Sequence, residues 1–120
     1  MKLSQIKEVL NAEVITGQKN MEFEIGNAFG ADLMSDVLAF VNSDTLLLTG
    51  LANTQVIRTA EMSDISVIVF VRGKTPTEEM IEMATELELT LLRTEDIMYE
   101  ACGKLYKLGL PGVNIRGAGK

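Results

Sequence analysis

Short apolar runs recur at a regular interval through the middle of the chain. The run Thr-Leu-Leu-Leu-Thr at 45–49 is followed 22 residues later by the run at 67–71, and after another 22 residues by the run at 89–92. A strand of about 5 residues, a helix of about 10–12 and two short loops fill such an interval. Strands that are joined through helices lie parallel, with right-handed crossovers. The spacing therefore predicts consecutive strand–helix units.

The segments before these units predict further strands. Residues 13–16 have the composition of a first strand, and Gly17 follows them. Apolar and acidic residues alternate over 21–25, which is typical of a strand with one solvated face. The glycine-bounded segment 26–30 is predicted to be a loop. With the three central runs, these segments predict a three-layer α/β/α domain with a mainly parallel sheet of four to five strands.

Helix starts are predicted from capping residues. Ser4 is the predicted cap of a short first helix, Asp32 of a second and Thr94 of the last. Thr75-Pro76-Thr77-Glu78 predicts a capping box with Thr75 as N-cap. Asn53 or Thr54 is expected to begin the helix between the first two central strands. We expect one domain over 1–110, followed by a flexible Gly-rich tail at 111–120.

Composition excludes several classes of function. The 120 residues have a formal net charge of -6, which opposes non-specific binding to nucleic acid. The absence of His and the single cysteine, Cys102, argue against Ser-His-Asp, Cys-His and zinc-hydrolase chemistry and against a four-thiolate iron–sulfur cluster. We therefore expect no metal, cofactor or nucleic acid. No apolar run is long enough to span a membrane, and the N-terminus becomes polar early, so a cytoplasmic protein is expected.

A candidate ligand-binding rim lies where the strands end. The residues after the predicted strands are Thr16-Gly17, Thr49-Gly50, Arg72-Gly73-Lys74 and Arg93-Thr94, and helix N-termini that favour anions follow most of them. Polar loops and strand-ending glycines also explain this composition without any ligand. The candidate residues for a small anionic ligand are Thr49, Gly50, Asn53, Thr54, Arg58, Arg72, Gly73, Lys74, Arg93 and Thr94.

Other reactive residues have simpler interpretations. Cys102 has helical spacing with Met98 and Leu105, so it is expected to be buried and inert. Asp32 and Asp36 are four residues apart on one predicted helix and could hold a cation or act as an acid–base pair, although a solvated helix face explains them as well. No catalytic residue is predicted.

Four segments resemble a known family. Phe29–Leu38, Leu46–Gly50, Gln55–Ala60 and Leu92–Thr94 are similar to the DRTGG domain family, over about Leu3 to Leu110. The resemblance implies the fold of the N-terminal domain of HPr kinase/phosphorylase, without its kinase chemistry. It also implies a regulatory or oligomerising role, since such domains accompany CBS domains and phosphotransacetylases. Stand-alone members are often encoded beside iron-only hydrogenase and NADH-linked redox subunits.

Three functional hypotheses follow. The first is a non-catalytic regulatory or assembly module, a homodimer that senses a small anionic or nucleotide-like metabolite and associates with hydrogenase or electron-transfer subunits. The second is a phosphoryl- or acyl-transfer enzyme that uses Arg72 and Arg93, with Glu95 or Asp96 as the general base. The third is a purely structural scaffold.

Overall fold

The computed structural model describes residues 1–115, and these form a five-stranded sheet with helices on both faces. The strands are β1 (Glu13–Thr16), β2 (Asn27–Gly30), β3 (Thr45–Thr49), β4 (Val67–Phe70) and β5 (Thr90–Arg93). The helices are α1 (Leu3–Val9), α2 (Met34–Phe40), α3 (Thr54–Met62), α4 (Glu78–Glu86) and α5 (Met98–Leu108). A short 3-10 helix covers Gln18–Asn20.

The sheet is parallel apart from one edge strand. Its order is β1-β5-β4-β3-β2, and β2, β3, β4 and β5 pair in parallel. The predicted three-layer, mainly parallel α/β architecture is confirmed, including the parallel order of the three regularly spaced strands. At one edge, β1 pairs antiparallel with β5.

Side-chain alternation along the strands divides the core into two halves. Leu46 and Leu48 of β3 pack with α1 and α5 on one face, whereas Leu47 packs with α2, α3 and α4 on the other. All five residues of β3 are buried. Because the central strands are covered on both faces, they are continuous apolar runs in the sequence.

The strand predictions near β2 are wrong. Segment 26–30, predicted to be a loop, contains β2, and segment 21–25, predicted to be a strand, has only a single bridge, between Lys2 and Glu24. The carbonyls of Phe23 and Met21 instead accept hydrogen bonds from the first N–H groups of α1, at Leu3 (2.9 Å) and Ser4 (2.8 Å). The carbonyls of the alternating segment therefore bond the free N–H groups at the start of α1. Segment Gly26–Gly30 has weak strand propensity, but its pairing with β3 is sufficient to form β2.

Three predicted helix caps are also wrong. The N-cap of α1 is Lys2 rather than Ser4, that of α2 is Leu33 rather than Asp32, and that of α5 is Ile97 rather than Thr94. The capping box predicted for α4 begins two residues too early, because Thr77 is the N-cap and its Oγ1 accepts from the Met80 N–H at 3.2 Å. Helix α3 begins where predicted, at Asn53 or Thr54: Asn53 is the N-cap, and its side chain accepts from the Gln55 N–H at 3.0 Å.

The segment after α5 returns to the sheet. The Ala28 N–H donates to the Pro111 carbonyl at 2.9 Å, and the Val113 N–H donates to the Ala28 carbonyl at 3.2 Å, so Gly112 forms a parallel bridge on the outer side of β2. The flexible tail predicted at 111–120 lies partly outside the described residues.

Candidate functional site

The rim at the carboxyl ends of β3, β4 and β5 brings most of the predicted site residues to one border of the sheet. Gly50 and Gly73 lie on this common border, and Arg72 Nη2 donates to the Gly50 carbonyl at 3.4 Å. Thr16 and Gly17 lie on the opposite border, because β1 runs antiparallel, and Asn20 Nδ2 there donates to Thr90 Oγ1 at 2.9 Å. The predicted rim therefore includes the ends of three strands rather than four.

The turn after β3 contains a carboxylate from the preceding loop. Asp32 Oδ1 accepts from the Gly50 N–H at 2.7 Å and from Thr49 Oγ1 at 3.0 Å. Asp32 precedes α2, so it forms no helical pair with Asp36. Asp32 was predicted to be a helix cap because a helix follows it in the sequence, and only the fold brings it to β3. The amide that an anion would use at this turn is thus already occupied.

The start of α3 is similarly satisfied from within. The Asn53 side chain caps the helix, and Thr54 is the first helical residue. Arg58, one turn later, is exposed, and no ion pair to it is found among residues 1–115.

The turn after β4 is fixed through its backbone. The Arg72 N–H donates to the Asp96 carbonyl at 2.8 Å and the Gly73 N–H to the Thr94 carbonyl at 2.9 Å, while the Lys74 N–H donates back to Val71 at 3.1 Å. Arg72 and Gly73 both have positive φ, 58° and 65°. A Cβ added to Gly73 would lie 2.8 Å from Glu95 Oε1, the end of an exposed side chain that can move aside, so the positive φ is the main reason for glycine there.

The cations of the rim differ in their partners. Arg93 donates from Nε to the Gly73 carbonyl at 3.1 Å and forms ion pairs with Glu95 at 2.8 Å and Glu13 at 3.7 Å. Arg72 and Lys74 are exposed and have no carboxylate partner in the described part of the chain. An external anion would therefore meet the side chains of Arg72 and Lys74, since backbone amides and Arg93 are engaged.

Thr94 has a structural contact rather than an open position. It is buried, and its Oγ1 donates to the Leu10 carbonyl at 2.8 Å. The spacing after β5 suggested a helix cap, but α5 begins four residues later. Of the predicted site residues, Thr94 faces the loop after α1 rather than solvent.

A separate groove of about 360 Å³ lies between β2 and α5. Cys102 lines this groove and is half-buried, so the prediction that it is buried is wrong. Burial nevertheless raises the pKa of the Cys102 thiol, which favours the neutral, less nucleophilic form. The groove was not predicted from the sequence because its walls come from distant segments. The two tyrosines of α5, at positions 99 and 106, are the sequence signal that could have indicated it.

Two further features concern ligands and membranes. Among residues 1–115, no three Asp, Glu or Cys side chains converge as metal ligands. Within the same range, every helix is too short or too polar to cross a bilayer.

Comparisons with known proteins identify relatives of the fold. The model of the DRTGG domain matches residues 5–108. The chain also superimposes, with a TM-score of 0.76 and 20% identity, on a crystal structure of the CBS and DRTGG domains of the regulatory region of Clostridium perfringens pyrophosphatase, complexed with its activator, diadenosine tetraphosphate. The match covers 92% of this chain and 47% of that one, so this chain spans about half the length of that structure. No curated protein matches the sequence.

Proposed function

This chain belongs to the DRTGG domain family, and from that premise we propose that it is a non-catalytic regulatory or assembly module whose rim binds a small anionic ligand. The observation that supports the rim is the pair of exposed cations, Arg72 and Lys74, which no carboxylate neutralises within residues 1–115. In a protein with a net charge of -6, these two side chains are the cations of the rim available to an anion, and the Asp32 carboxylate lies on the same border.

The backbone geometry supports side-chain recognition of the anion. The turn at 72–74 is held by hydrogen bonds to the segment after β5, so both cations start from a fixed backbone. The backbone of the rim is formed by Thr49, Gly50, Asn53, Thr54 and Gly73, and Arg58 adds a further exposed cation. Arg93 donates to the Gly73 carbonyl and the Thr94 carbonyl accepts from the Gly73 N–H, so both residues stabilise the turn.

A ligand-sensing role fits the family. The solved neighbour contains a DRTGG domain within the regulatory region of a pyrophosphatase and was crystallised with a nucleotide activator. By extension we propose a nucleotide-like or phosphorylated metabolite as the ligand here. We also propose a cytoplasmic homodimer with hydrogenase or electron-transfer subunits as partners, on the basis of the family resemblance.

The enzyme hypothesis has less support. Glu95 and Asp96, the carboxylates available as a general base, lie in ion pairs with Arg93 and Lys104, each at 2.8 Å. Each carboxylate thus has a structural role as an ion-pair partner, which accounts for it without catalysis. The scaffold hypothesis predicts instead that the rim binds nothing.

The test is a thermal-shift and calorimetric titration of the full chain with inorganic tripolyphosphate and with ATP. At a concentration of about 100 times the dissociation constant, a ligand that binds only the folded state adds about 2.7 kcal/mol of stability. The double variant Arg72→Ala/Lys74→Ala should abolish the stabilisation by tripolyphosphate, which carries no nucleobase. Lys19→Ala/Lys107→Ala is the matched control, because it removes the same charge from exposed positions outside the rim.

Two results would contradict the proposal. If neither tripolyphosphate nor ATP stabilises the wild-type chain, the rim binds no anion and the scaffold hypothesis is supported. If the control variant loses binding as much as the rim variant does, the effect reflects net charge and no site exists.

A further inference from the structure

The groove between β2 and α5 has an uncharged lining. Its walls include Gly30 from β2, Tyr99, Cys102, Gly103 and Tyr106 from α5, and Gly112 from the returning segment. The full set of lining residues includes no Asp, Glu, Lys or Arg. Its volume of about 360 Å³ lies within the range of small-molecule sites. By charge, it suits a neutral group and not a phosphate.

Two tyrosines flank an open notch on one face of α5. Tyr99, Gly103 and Tyr106 are spaced i, i+4 and i+7, so they lie on the same side of the helix, with about 10 Å between the two tyrosine positions. Both rings are largely exposed, at 82% for Tyr99 and 75% for Tyr106. A Cβ built at Gly103 meets nothing within 4 Å. The helix surface over Gly103 is therefore open, with an exposed aromatic residue at each end.

The edge of β2 supplies a backbone donor and acceptor to this groove. Ala28 directs its N–H and carbonyl away from β3, where they bond Pro111 and Val113. Gly30, two residues later in the same strand, directs its own groups the same way, because strand residues alternate. Residues 113–115 of the returning segment do not bond these groups, since the Ile115 N–H bonds back to Val113 at 3.1 Å. Among the described residues, no backbone partner is found for Gly30 on this outer side.

We propose that this groove binds an uncharged, planar heteroaromatic ring with a hydrogen-bond acceptor and donor on one edge, the chemistry of a nucleobase. The ring stacks on Tyr99 or Tyr106 over Gly103, and its polar edge meets the N–H and carbonyl of Gly30. Base–aromatic stacking of this kind tolerates many rings, and the hydrogen-bonding edge selects among them. The groove shares no residue with the rim, so this inference stands independently of the proposed anion site.

The first experiment is an NMR titration of the full chain with adenosine, which has the base but no phosphate. We expect shifts at the Gly30 and Gly103 amides and at both tyrosine rings, with the Gly50 and Gly73 amides unchanged. The chain has two tyrosines and no tryptophan, so tyrosine fluorescence reports on this groove alone. Ribose is the matched ligand control and should shift none of these resonances.

A pair of variants at one position tests the location. Gly103→Leu fills the notch, and the open space around its Cβ together with the higher helix propensity of leucine predicts an intact fold. Gly103→Ala improves helix propensity slightly more than leucine does but leaves the notch open. We expect adenosine binding to weaken at least about 10-fold in Gly103→Leu, the scale of one lost stacked base, and to persist in Gly103→Ala.

Three outcomes would overturn the inference. They are the absence of any adenosine shift at millimolar concentration, equal binding by both Gly103 variants, and light scattering that shows a dimer which Gly103→Leu dissociates. The last result would mean that a second copy of the chain covers the groove. Tripolyphosphate binding at the rim would be unaffected in all three cases, so the two proposals fail separately.

Discussion

At the scale of single residues, Asp32 determines how the turn after β3 is held. Its Oδ1 accepts from both Gly50 N–H and Thr49 Oγ1. The carboxylate also places a negative charge on the border where Arg72 lies, since Arg72 bonds the Gly50 carbonyl. Asp32 therefore stabilises the turn and opposes an external anion at the same position.

Replacement of Asp32 should separate these two effects. We expect Asp32→Ala to lower the free energy of unfolding by about 1 kcal/mol, through the lost hydrogen bonds of an exposed side chain. We expect it to strengthen tripolyphosphate binding, because a repulsive charge is removed and the Gly50 N–H becomes available. Urea denaturation and calorimetry measure the two. Asp36→Ala makes the same charge change on α2 without contacting the turn, and an equal gain in affinity there would refute the local explanation.

Thr94 is expected to matter for stability and not for ligand binding. Its hydroxyl donates to the Leu10 carbonyl inside the protein, so Thr94→Val leaves a buried acceptor unsatisfied. The cost should be about 1–3 kcal/mol in urea denaturation. Thr75→Val, at an exposed position, is the control and should change stability little. If a fully folded Thr94→Val protein loses tripolyphosphate binding, this expectation is wrong and Thr94 belongs to the ligand site.

At the scale of elements, the start of α4 shows how a cap is chosen. Thr75 and Thr77 can both precede a helix in this sequence, but the structure places Thr77 at the N-cap. Removal of an N-cap hydroxyl costs about 1 kcal/mol. We therefore expect Thr77→Ala to destabilise the protein by that amount and Thr75→Ala to have almost no effect, as measured by thermal or urea unfolding. The reverse order would show that α4 begins at Pro76.

The elements that sequence analysis predicted correctly are those with a repeated pattern. The central strands are apolar on both faces and equally spaced, and local pattern was sufficient for them. Strand β2 has glycine at its end and one large apolar residue, Phe29, so its identity depends on pairing with β3, which no local pattern records. The alternation at 21–25 was misleading because those carbonyls serve α1.

The candidate site was predictable to a similar extent. The rim followed from parallel strand order, so Gly50, Arg72 and Gly73 were placed on a common border. The partners of the rim residues were not predictable, because Asp32 and Leu10 reach them only through the tertiary fold. The antiparallel direction of β1 removed Thr16 and Gly17 from the rim.

At the scale of the whole molecule, α2 exposes an apolar surface beside β2. Leu33, Leu38 and Phe40 are 61%, 47% and 41% exposed, and the Phe40 ring lies 6.3 Å from that of Phe29. Exposed apolar patches on soluble domains often mark association surfaces. We therefore propose this surface as the interface of the proposed homodimer.

The dimer prediction is tested at α2. We expect Leu38→Glu to convert a dimer into a monomer in size-exclusion chromatography with light scattering, because a charge would be buried without a partner. Ser35→Glu introduces the same charge at another exposed position of α2 and should leave the dimer intact. A wild-type protein that is monomeric at every concentration would refute the dimer, and dissociation by both variants would refute this choice of surface.

The pairing of β1 with β5 joins residues 13–16 to residues 90–93, and Thr94 bonds the carbonyl of Leu10. Residues 13–16 therefore gain their strand partners, and the Leu10 carbonyl its side-chain donor, from residues 90–94, which are synthesised much later. During synthesis on the ribosome, β1 has to wait until β5 has left the exit tunnel before it can pair. We therefore expect nascent chains that end before residue 90 to remain sensitive to protease at their first 16 residues, and protection to arise late and in one step.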